Sequence, residues 1–327
     1  MFGDKQATSE RRDPHAAVHL ATLATAFRAS NAFLLDGLKE IGLGADHIDR
    51  VILMAVTQSN VELVNREPIH QIRYAELDSP PPDAVRRPIS ISALAASVGL
   101  PFETVRRRIL HLAGKGECVV TSNGVIVPSS VLTTQVHRRT LIANYALSRR
   151  LYDRLKASNC LQDAVSVNNK VVEAGTNQPP VRLVARLSYN HFLRMLEALV
   201  SHVGDLTMAL ILMAVLHENT SHLPDPTPRM QILLPDEAKR PVTARKVAAR
   251  LGFTESAVRR RLAAAVRNGW CKRRRGGVVL PSSYIGRPEF ERVLRLNYSS
   301  LLRLFNALSH FGVLSEWEQQ EAAPQAV

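Results

Sequence analysis

The sequence predicts a mainly α-helical protein with small β-hairpins, in which one helical unit occurs twice. First, the segment Arg87–Ser130 aligns without a gap on Arg240–Ser283, at an offset of 153 residues, and 16 of the 44 positions are identical. Second, apolar residues recur at helical spacing over long stretches. Third, each copy contains two short runs around a glycine turn, which is typical of a hairpin. Because a long internal repeat determines architecture, we expect two similar units in the 327-residue chain.

The repeat extends past the aligned segment and predicts the unit boundaries. The same offset pairs Asn144-Tyr145 with Asn297-Tyr298, and upstream an offset of 159 pairs Asp46 with Asp205 and Asn60 with Asn219. Proline-rich stretches, "LDSPPPDAVR" and "LPDPTPRM", absorb the difference. We therefore expect a disordered tail at residues 1–13, one unit at 14–160, a linker at 161–180, the second unit at 181–314 and a disordered tail at 315–327.

Each unit has the same predicted order: helix, helix, short strand, helix, turn, helix, hairpin and a long helix. Ser90 and Thr243 are suited to cap a short helix, and Gly99 and Gly252 are suited to end it with positive φ. A second short helix should start at Pro101 or Thr254 with one apolar face. The hairpin follows, with strands expected from Cys118 or Cys271 and turns at "TSNG" or "RRGG".

Helix, glycine turn, helix is the helix-turn-helix pattern, and the hairpin after it corresponds to a wing. With "LAASVGL", "TVRRRI" and the glycine that follows, the pattern resembles the bacterial winged helix-turn-helix regulators, particularly the gluconate-repressor, catabolite-activator and isocitrate-lyase-repressor groups. The resemblance covers the 44 aligned residues of each unit, whereas the flanking helices match no family. It implies a sequence-specific transcription regulator whose second helix enters the major groove of double-stranded DNA.

An arginine triplet occupies the same place in both second helices. Successive helical residues point about 100° apart, so three neighbouring arginines cannot all read bases. We assign the first two of each triplet to bases or nearby phosphates, namely Arg106, Arg107, Arg259 and Arg260. We expect Arg108 and Arg261 to bind phosphate or to pack their stems over the helix edge. The units differ at Glu103 and Thr104 against Ser256 and Ala257, which predicts an asymmetric DNA site.

The two predicted wings differ in charge. The second carries four successive cations, Lys272, Arg273, Arg274 and Arg275, which suit phosphate or minor-groove contact. The first reads "VVTSNG" and is neutral. We expect the second unit to be the stronger DNA anchor. The alternative interpretation is that the arginines only solvate an exposed helix face and that the basic hairpin has no role.

The charge of the chain is concentrated in these units. The formal net charge is +13, to which residues 86–160 contribute +9 and residues 239–303 contribute +14, so the remainder carries −10. A basic excess confined to particular elements indicates a polyanionic partner such as nucleic acid.

Catalytic and cofactor signals are weak throughout the sequence. "HENTSH" lacks the His-Glu-x-x-His spacing, no phosphate-binding loop is present, and Cys118, Cys160 and Cys271 are too few for a disulfide framework or a zinc site. We expect no enzyme activity, no cofactor and no metal. The apolar stretch Leu206–Leu216 is too short to span a bilayer and the N-terminus does not resemble a signal peptide, which favours a cytoplasmic, nucleoid-associated protein.

The amphipathic helices after each wing, near residues 131–157 and 284–312, need partners. We expect them to pack on the matching helices of the other unit, which would make the chain an intramolecular pseudo-dimer; a homodimer of chains stays open. Two other functions remain open. One is a plasmid-type replication initiator, which also joins two winged helices. The other is a tandem winged-helix scaffold that binds proteins.

Overall fold

The computed structural model describes residues 14–41, 46–161, 165, 178–225 and 233–322. These residues form a mainly helical structure with two small antiparallel sheets. The tail expected at 1–13 and most of the linker expected at 161–180 lie outside the described residues.

The first half of the chain contains eight helices and one hairpin in its described part. In chain order they are α1 (Pro14–Glu40), α2 (His47–Asn60), α3 (Glu62–Arg66), α4 (Pro68–Arg73), α5 (Ile91–Val98), α6 (Phe102–Gly114), β1 (Val119–Thr121), β2 (Gly124–Ile126), α7 (Ser129–Leu132) and α8 (Gln135–Ala157).

The second half follows with seven helices and one hairpin in its described part. They are α9 (Val181–Val203), α10 (Leu206–Thr220), α11 (Ala244–Leu251), α12 (Glu255–Arg267), β3 (Lys272–Arg274), β4 (Gly277–Val279), α13 (Ser282–Ile285), α14 (Pro288–His310) and α15 (Val313–Ala322). From α5 to α8, every element has a counterpart from α11 to α14 whose bounds lie 153 residues further on.

The short helix of each half begins and ends where the sequence predicts. The Ser90 hydroxyl accepts from the amide of Ala93 at 3.1 Å, and the Thr243 hydroxyl accepts from the amide of Lys246 at 3.3 Å. Gly99 and Gly252 follow with φ of 63° and 70°, the left-handed conformation that stops a helix and reverses the chain. The tight turn lets the second short helix cross the first.

Each hairpin has a third extended segment beside it. Val119 pairs with Ile126 and Lys272 with Val279, so the strands begin one residue after the predicted Cys118 and Cys271. On the inner side, Ile89 bridges Val125 and Val242 bridges Val278. The inner strands β2 and β4 are therefore paired on both sides, and β1 and β3 are the outer edges of the two sheets.

Four long helices, α1, α8, α9 and α14, form the centre of the molecule and interleave the two halves. The most extensive packing is that of α9 on α14, and α9 also packs on α8; α1 packs on α8 and α14. The expected pairing of α8 with α14 is limited to contacts such as Tyr152 on Phe305, with ring centroids 5.5 Å apart. The reason is that α9 buries side chains around most of its circumference and so separates the two helices.

Two buried arginines on α9 donate hydrogen bonds to backbone carbonyls of the first half. Arg182 donates to the carbonyls of Leu77 and Leu132, both at 2.9 Å, and Arg186 donates to the carbonyls of Tyr74 at 2.6 Å and Gln71 at 2.8 Å. Several of these carbonyls end α4 and α7, where a cation is favoured by the helix dipole. Burial lowers the pKa of Arg186 to about 9. The two halves are thus linked by polar contacts as well as apolar packing.

The tail expected at 315–327 is not a tail over residues 315–322, because these belong to α15. Trp317 is 1% exposed, and its ring lies 5.6 Å from that of Tyr145 and 5.9 Å from that of Tyr152. The sequence prediction is wrong because only Val313, Leu314 and Trp317 form the apolar face of a helix otherwise rich in Glu and Gln. Residues 323–327 lie outside the described part.

Three buried histidines predict acid sensitivity. Burial lowers the pKa of His47 and His137 to about 4 and that of His191 to about 3. Each histidine binds protons more weakly in the folded chain than in the unfolded chain. The free energy of unfolding is therefore highest above about pH 6.5 and decreases as the pH falls from about 6.5 to 4. The expected slope is up to about 1.4 kcal/mol per pH unit for each histidine.

Urea unfolding at pH 7.5, 6.5, 5.5 and 4.5 measures this slope. His191→Asn should flatten it relative to the unmodified chain, whereas His111→Asn, at an exposed site on α6, should leave it unchanged. Equal slopes for both variants would show that His191 is not held neutral by the fold.

In the described part of the chain, no single helix combines the length and apolar composition needed to cross a bilayer. Helices α9 and α10 reach that composition only when counted together, and their axes bend by 105° at the break between them.

Candidate nucleic-acid interface

Helices α6 and α12 each present one face to the core and the opposite face to solvent. Val105 and Val258 are completely buried, while Arg106, Arg107, Arg259 and Arg260 are exposed. The first two arginines of both triplets therefore lie on the outer surface, as the sequence predicts. The spacing of Val105, Ile109 and Leu112, repeated as Val258, Leu262 and Ala265, fixes this orientation.

The outward arginines have weak partners or none among the described residues. Arg106 lies 3.6 Å from Glu103, and Arg259 lies 2.5 Å from Glu255, both within one turn of the same helix. Exposed pairs of this kind contribute little to stability, so a phosphate or a base can replace the carboxylate. The side chains of Arg107 and Arg260 make no hydrogen bond or ion pair with the described residues.

The third arginine of each triplet lies elsewhere. The Arg108 guanidinium contacts Asp46 at 3.0 Å and Asp49 at 2.5 Å, and the Arg261 guanidinium contacts Asp205 at 2.5 Å. The structure thus places both groups on internal carboxylates, not on the outer face where phosphate contact was expected. Arg108 thus ties α6 to the N-terminus of α2, and Arg261 ties α12 to the N-terminus of α10.

The two braces share one design. Asp46 caps α2 by accepting from the amides of Ile48 and Asp49 at 2.9 and 3.0 Å, and Asp205 caps α10 by accepting from the amide of Met208 at 3.1 Å. One carboxylate therefore caps the N-terminus of α2 or α10 and also orients α6 or α12. We expect the direction in which the outer arginines point to depend on these two aspartates.

A buried asparagine fixes each wing. The Asn219 side chain donates to the carbonyls of Arg240 at 2.7 Å and Val278 at 3.1 Å, and accepts from the amide of Leu280 at 2.9 Å. Asn60 makes the same contacts with Arg87, Val125 and Val127, at 2.7, 3.1 and 3.0 Å. Each side chain joins the end of α2 or α10 to the sheet.

One of the four cations in the second wing is bound to the segment that precedes α11. Arg274 donates to the carbonyl of Asp236 at 3.0 Å and lies 3.5 Å from Glu237. Lys272, Arg273 and Arg275 are exposed, and their side chains make no hydrogen bond or ion pair with the described residues. Of the four predicted cations, three are therefore directed to solvent.

The matching surface of the first half has a different chemistry. Val119 and Val120 are 44% and 41% exposed at the positions of Lys272 and Arg273. Phe102 and Leu110 on α6 are exposed where α12 has Glu255 and Ala263. The hairpin of this half therefore contributes no cation to the surface beside α6.

The predicted asymmetry of the DNA site rests on two pairs of matched positions, of which only one pair is fully exposed. Glu103 is fully on the surface, with 77% of its side chain exposed, and Ser256 at the matching position is also exposed. Thr104 and Ala257 are half-buried. Of the two differing pairs, Glu103 and Ser256 present the larger contrast to a ligand.

The cysteines lie behind the wings. Cys118 and Cys271 are almost completely buried, and burial raises the pKa of Cys118 to about 11 and that of Cys271 to about 12. A thiol with a raised pKa is a poor nucleophile, and these side chains act as small apolar core residues. Among the described residues, no three histidine, cysteine or carboxylate side chains cluster as metal ligands would.

Comparison of this chain with protein-family profiles, curated proteins and solved structures returns no significant match.

Proposed function

We propose that the protein is a sequence-specific, double-stranded DNA-binding transcription regulator of bacterial type, built from a duplicated winged helix-turn-helix unit and acting at the nucleoid. One observation carries the proposal. Arg259 and Arg260 point outward from α12, and the hairpin that follows directly adds Lys272, Arg273 and Arg275 to the same half. Apart from Glu255, no carboxylate is paired with these five cations in the described residues.

The chemistry of these groups matches a duplex. Guanidinium groups on an exposed helix can bridge O6 and N7 of guanine in the major groove. Cations on a hairpin suit phosphates or the minor groove, which add affinity without sequence preference. We assign base contacts to Arg106, Arg107, Arg259 and Arg260, and backbone contacts to the second wing. Arg108 and Arg261 serve in this proposal as braces.

The second half is the stronger anchor in this proposal. Its wing supplies three free cations, whereas the first wing exposes two valines. In this proposal the first half adds preference among DNA sequences, through Arg106, Arg107 and Glu103. Because Glu103 can accept a hydrogen bond from cytosine N4 and Ser256 is neutral, the preferred site is asymmetric. The interleaved long helices hold both halves in one body, as an intramolecular pseudo-dimer would require.

Duplex binding at increasing salt tests the proposal. The triple variant Lys272→Ala, Arg273→Ala, Arg275→Ala should reduce the slope of log affinity against log salt by about 2 to 3 for every sequence, because each phosphate contact contributes about 0.9. Arg259→Ala and Arg260→Ala should each weaken binding to a selected duplex by about 1–3 kcal/mol and relax its sequence preference. Fluorescence anisotropy with selected and random duplexes measures both effects.

The matched control removes three exposed cations elsewhere, through Arg194→Ala, Arg292→Ala and Arg303→Ala on α9 and α14. It changes the net charge equally and should leave the slope almost unchanged. If both triple variants change the slope by the same amount, only net charge matters and the proposed interface is wrong.

A further inference from the structure

A cleft of about 470 Å³ lies where the α1–α2 region of the first half meets α11 of the second half. Charged side chains from four helices line it: Lys39, Asp46, Arg50, Glu218, Lys246 and Arg250. Four are cations and two are carboxylates. The cleft is separate from the outer faces of α6 and α12 assigned to bases.

Both carboxylates of the cleft are already paired. Asp46 holds Arg108, and Glu218 is bound by Lys246 at 2.6 Å and by Arg250. Lys39 and Arg50 form no ion pair within 4 Å with a carboxylate of the described residues, although Asp46 attracts Arg50 from a greater distance. Arg50 donates to the carbonyl of Leu38 at 2.6 Å. The cleft therefore has an excess of positive charge.

Two nitrogens in the wall of the cleft lack partners. His47 is 5% exposed, and its Nε2 is buried with no hydrogen-bond partner within 3.5 Å, although the imidazole also interacts with the backbone of Leu251. The Nε of Arg50 is also buried and unpaired. Buried polar atoms usually have partners, but the described residues contain twelve further exceptions, so the excess charge of the cleft carries the argument and these two atoms only agree with it.

The counterpart of this cleft in the other half is different. Apart from Asp46, which is matched by Asp205, the sequence repeat pairs the ionisable residues of the cleft with positions that carry no charge: Lys39 with Ala198, His47 with Leu206, Arg50 with Ala209, Lys246 with Ala93, Arg250 with Ser97 and Glu218 with Ser59.

The counterpart is also filled. There Val200 Cγ1 comes within 2.6 Å of where a Cβ on Gly99 would lie, whereas at Gly252 the nearest atom is 3.7 Å away, on Asp46. The fold can thus close this junction with small and apolar side chains. The fold therefore does not require the charged side chains that line the cleft beside Gly252.

We propose that this cleft binds the phosphate group of a small phosphorylated metabolite, with Lys39 and Arg50 as its principal ligands and Lys246 and Arg250 beside them. A phosphate monoester carries a charge near −2 and three acceptor oxygens, which match an excess of two cations with free N–H groups. The volume leaves room for a small organic group on the phosphate.

The position of the cleft assigns this ligand a regulatory role, and this part rests on the proposed DNA-binding function. Asp46 in the cleft wall braces Arg108 of α6, and Gly252 is the turn from which α12 starts. A ligand here therefore contacts residues that position both DNA-binding helices. Differential contact with two arrangements of these helices is what coupling between sites requires.

Titration of the full-length protein with inorganic phosphate, in the absence of DNA and at constant ionic strength, tests the site. Isothermal calorimetry should show saturable binding at one site. Lys39→Ala combined with Lys246→Ala should weaken it by about tenfold or more, because both side chains are exposed and contribute charge without filling the core. Arg50→Gln is the second variant, which keeps much of the side-chain volume and removes the charge.

Arg245→Ala is the matched control, since Arg245 is exposed on α11 next to Lys246 but does not line the cleft. It should retain phosphate binding. Absence of saturable binding, or equal weakening by Arg245→Ala and by the cleft variants, overturns the proposal. Loss of phosphate binding on neutralising Lys272, Arg273 and Arg275 alone also overturns it, because the phosphate would then occupy the wing.

Duplex affinity with and without phosphate separates the two proposals. A change in affinity that disappears in the Lys39→Ala, Lys246→Ala variant supports the regulatory role. If phosphate saturates the cleft but no duplex binds, the site stands and the DNA-binding function fails. If the cleft variants weaken duplex binding while free phosphate does not saturate, the cleft belongs to the DNA backbone and the metabolite site is refuted.

Discussion

Asn219→Ala is expected to lower the free energy of unfolding by about 4 kcal/mol, since it leaves two carbonyls and one amide without their partner in a dry interior. The side chain is completely buried, and its three hydrogen bonds join α10, the segment before α11 and β4. Alanine can neither replace these bonds nor admit water easily. Urea unfolding followed by circular dichroism measures the loss.

Asn60→Ala should cause a loss of similar size, because Asn60 makes the same set of bonds in the first half. Asn190→Ala is the control; this residue is exposed and accepts only from Arg194 within its own helix, so the change should cost less than about 0.5 kcal/mol. A loss under about 1 kcal/mol for both buried asparagines would contradict the role given to them.

Trp317→Ala should cost about 3–5 kcal/mol, the range for removing a large aromatic side chain from a core. The indole fills the space between Tyr145 and Tyr152, and its Nε1 donates to the Tyr145 hydroxyl at 2.7 Å. Its removal leaves a cavity between α15 and α8. Thermal and urea unfolding should both show the loss.

Trp317→Phe separates packing from the hydrogen bond. It keeps most of the ring volume and should cost about 1–2 kcal/mol. Leu296→Ala, at an exposed apolar position on α14, serves as the control and should cost little. Equal and small losses for Trp317→Ala and Leu296→Ala would show that α15 is not docked in solution.

The sequence predicts most of the winged segments because their signals are local. Capping by Ser90 and Thr243, the glycine turns and the period of Val105, Ile109 and Leu112 act within a few residues. The same locality explains why Arg106, Arg107, Arg259 and Arg260 are found on the surface as expected. Their assignment to DNA stays a prediction.

The features that the sequence does not predict are contacts between residues far apart in the chain. The repeat pairs Asp46 with Asp205 and Arg108 with Arg261, so each half keeps both an aspartate and a third arginine. Two residue types retained together could have suggested an ion pair, but the triplet directed attention to phosphate. The docking of α15 and the packing of α9 between α8 and α14 depend on tertiary burial, which helical periodicity does not reveal.

The interleaving of the halves has a consequence for synthesis on the ribosome. By residue 161 the first winged segment is complete, but α1 and α8 lack the apolar surfaces of α9, α14 and α15 that cover them. At about 5–20 residues per second, the remaining stretch to the end of α14 takes roughly 7 to 30 seconds. During this delay the nascent chain exposes apolar helix faces, so the bundle of long helices can form only after α14 has been synthesised.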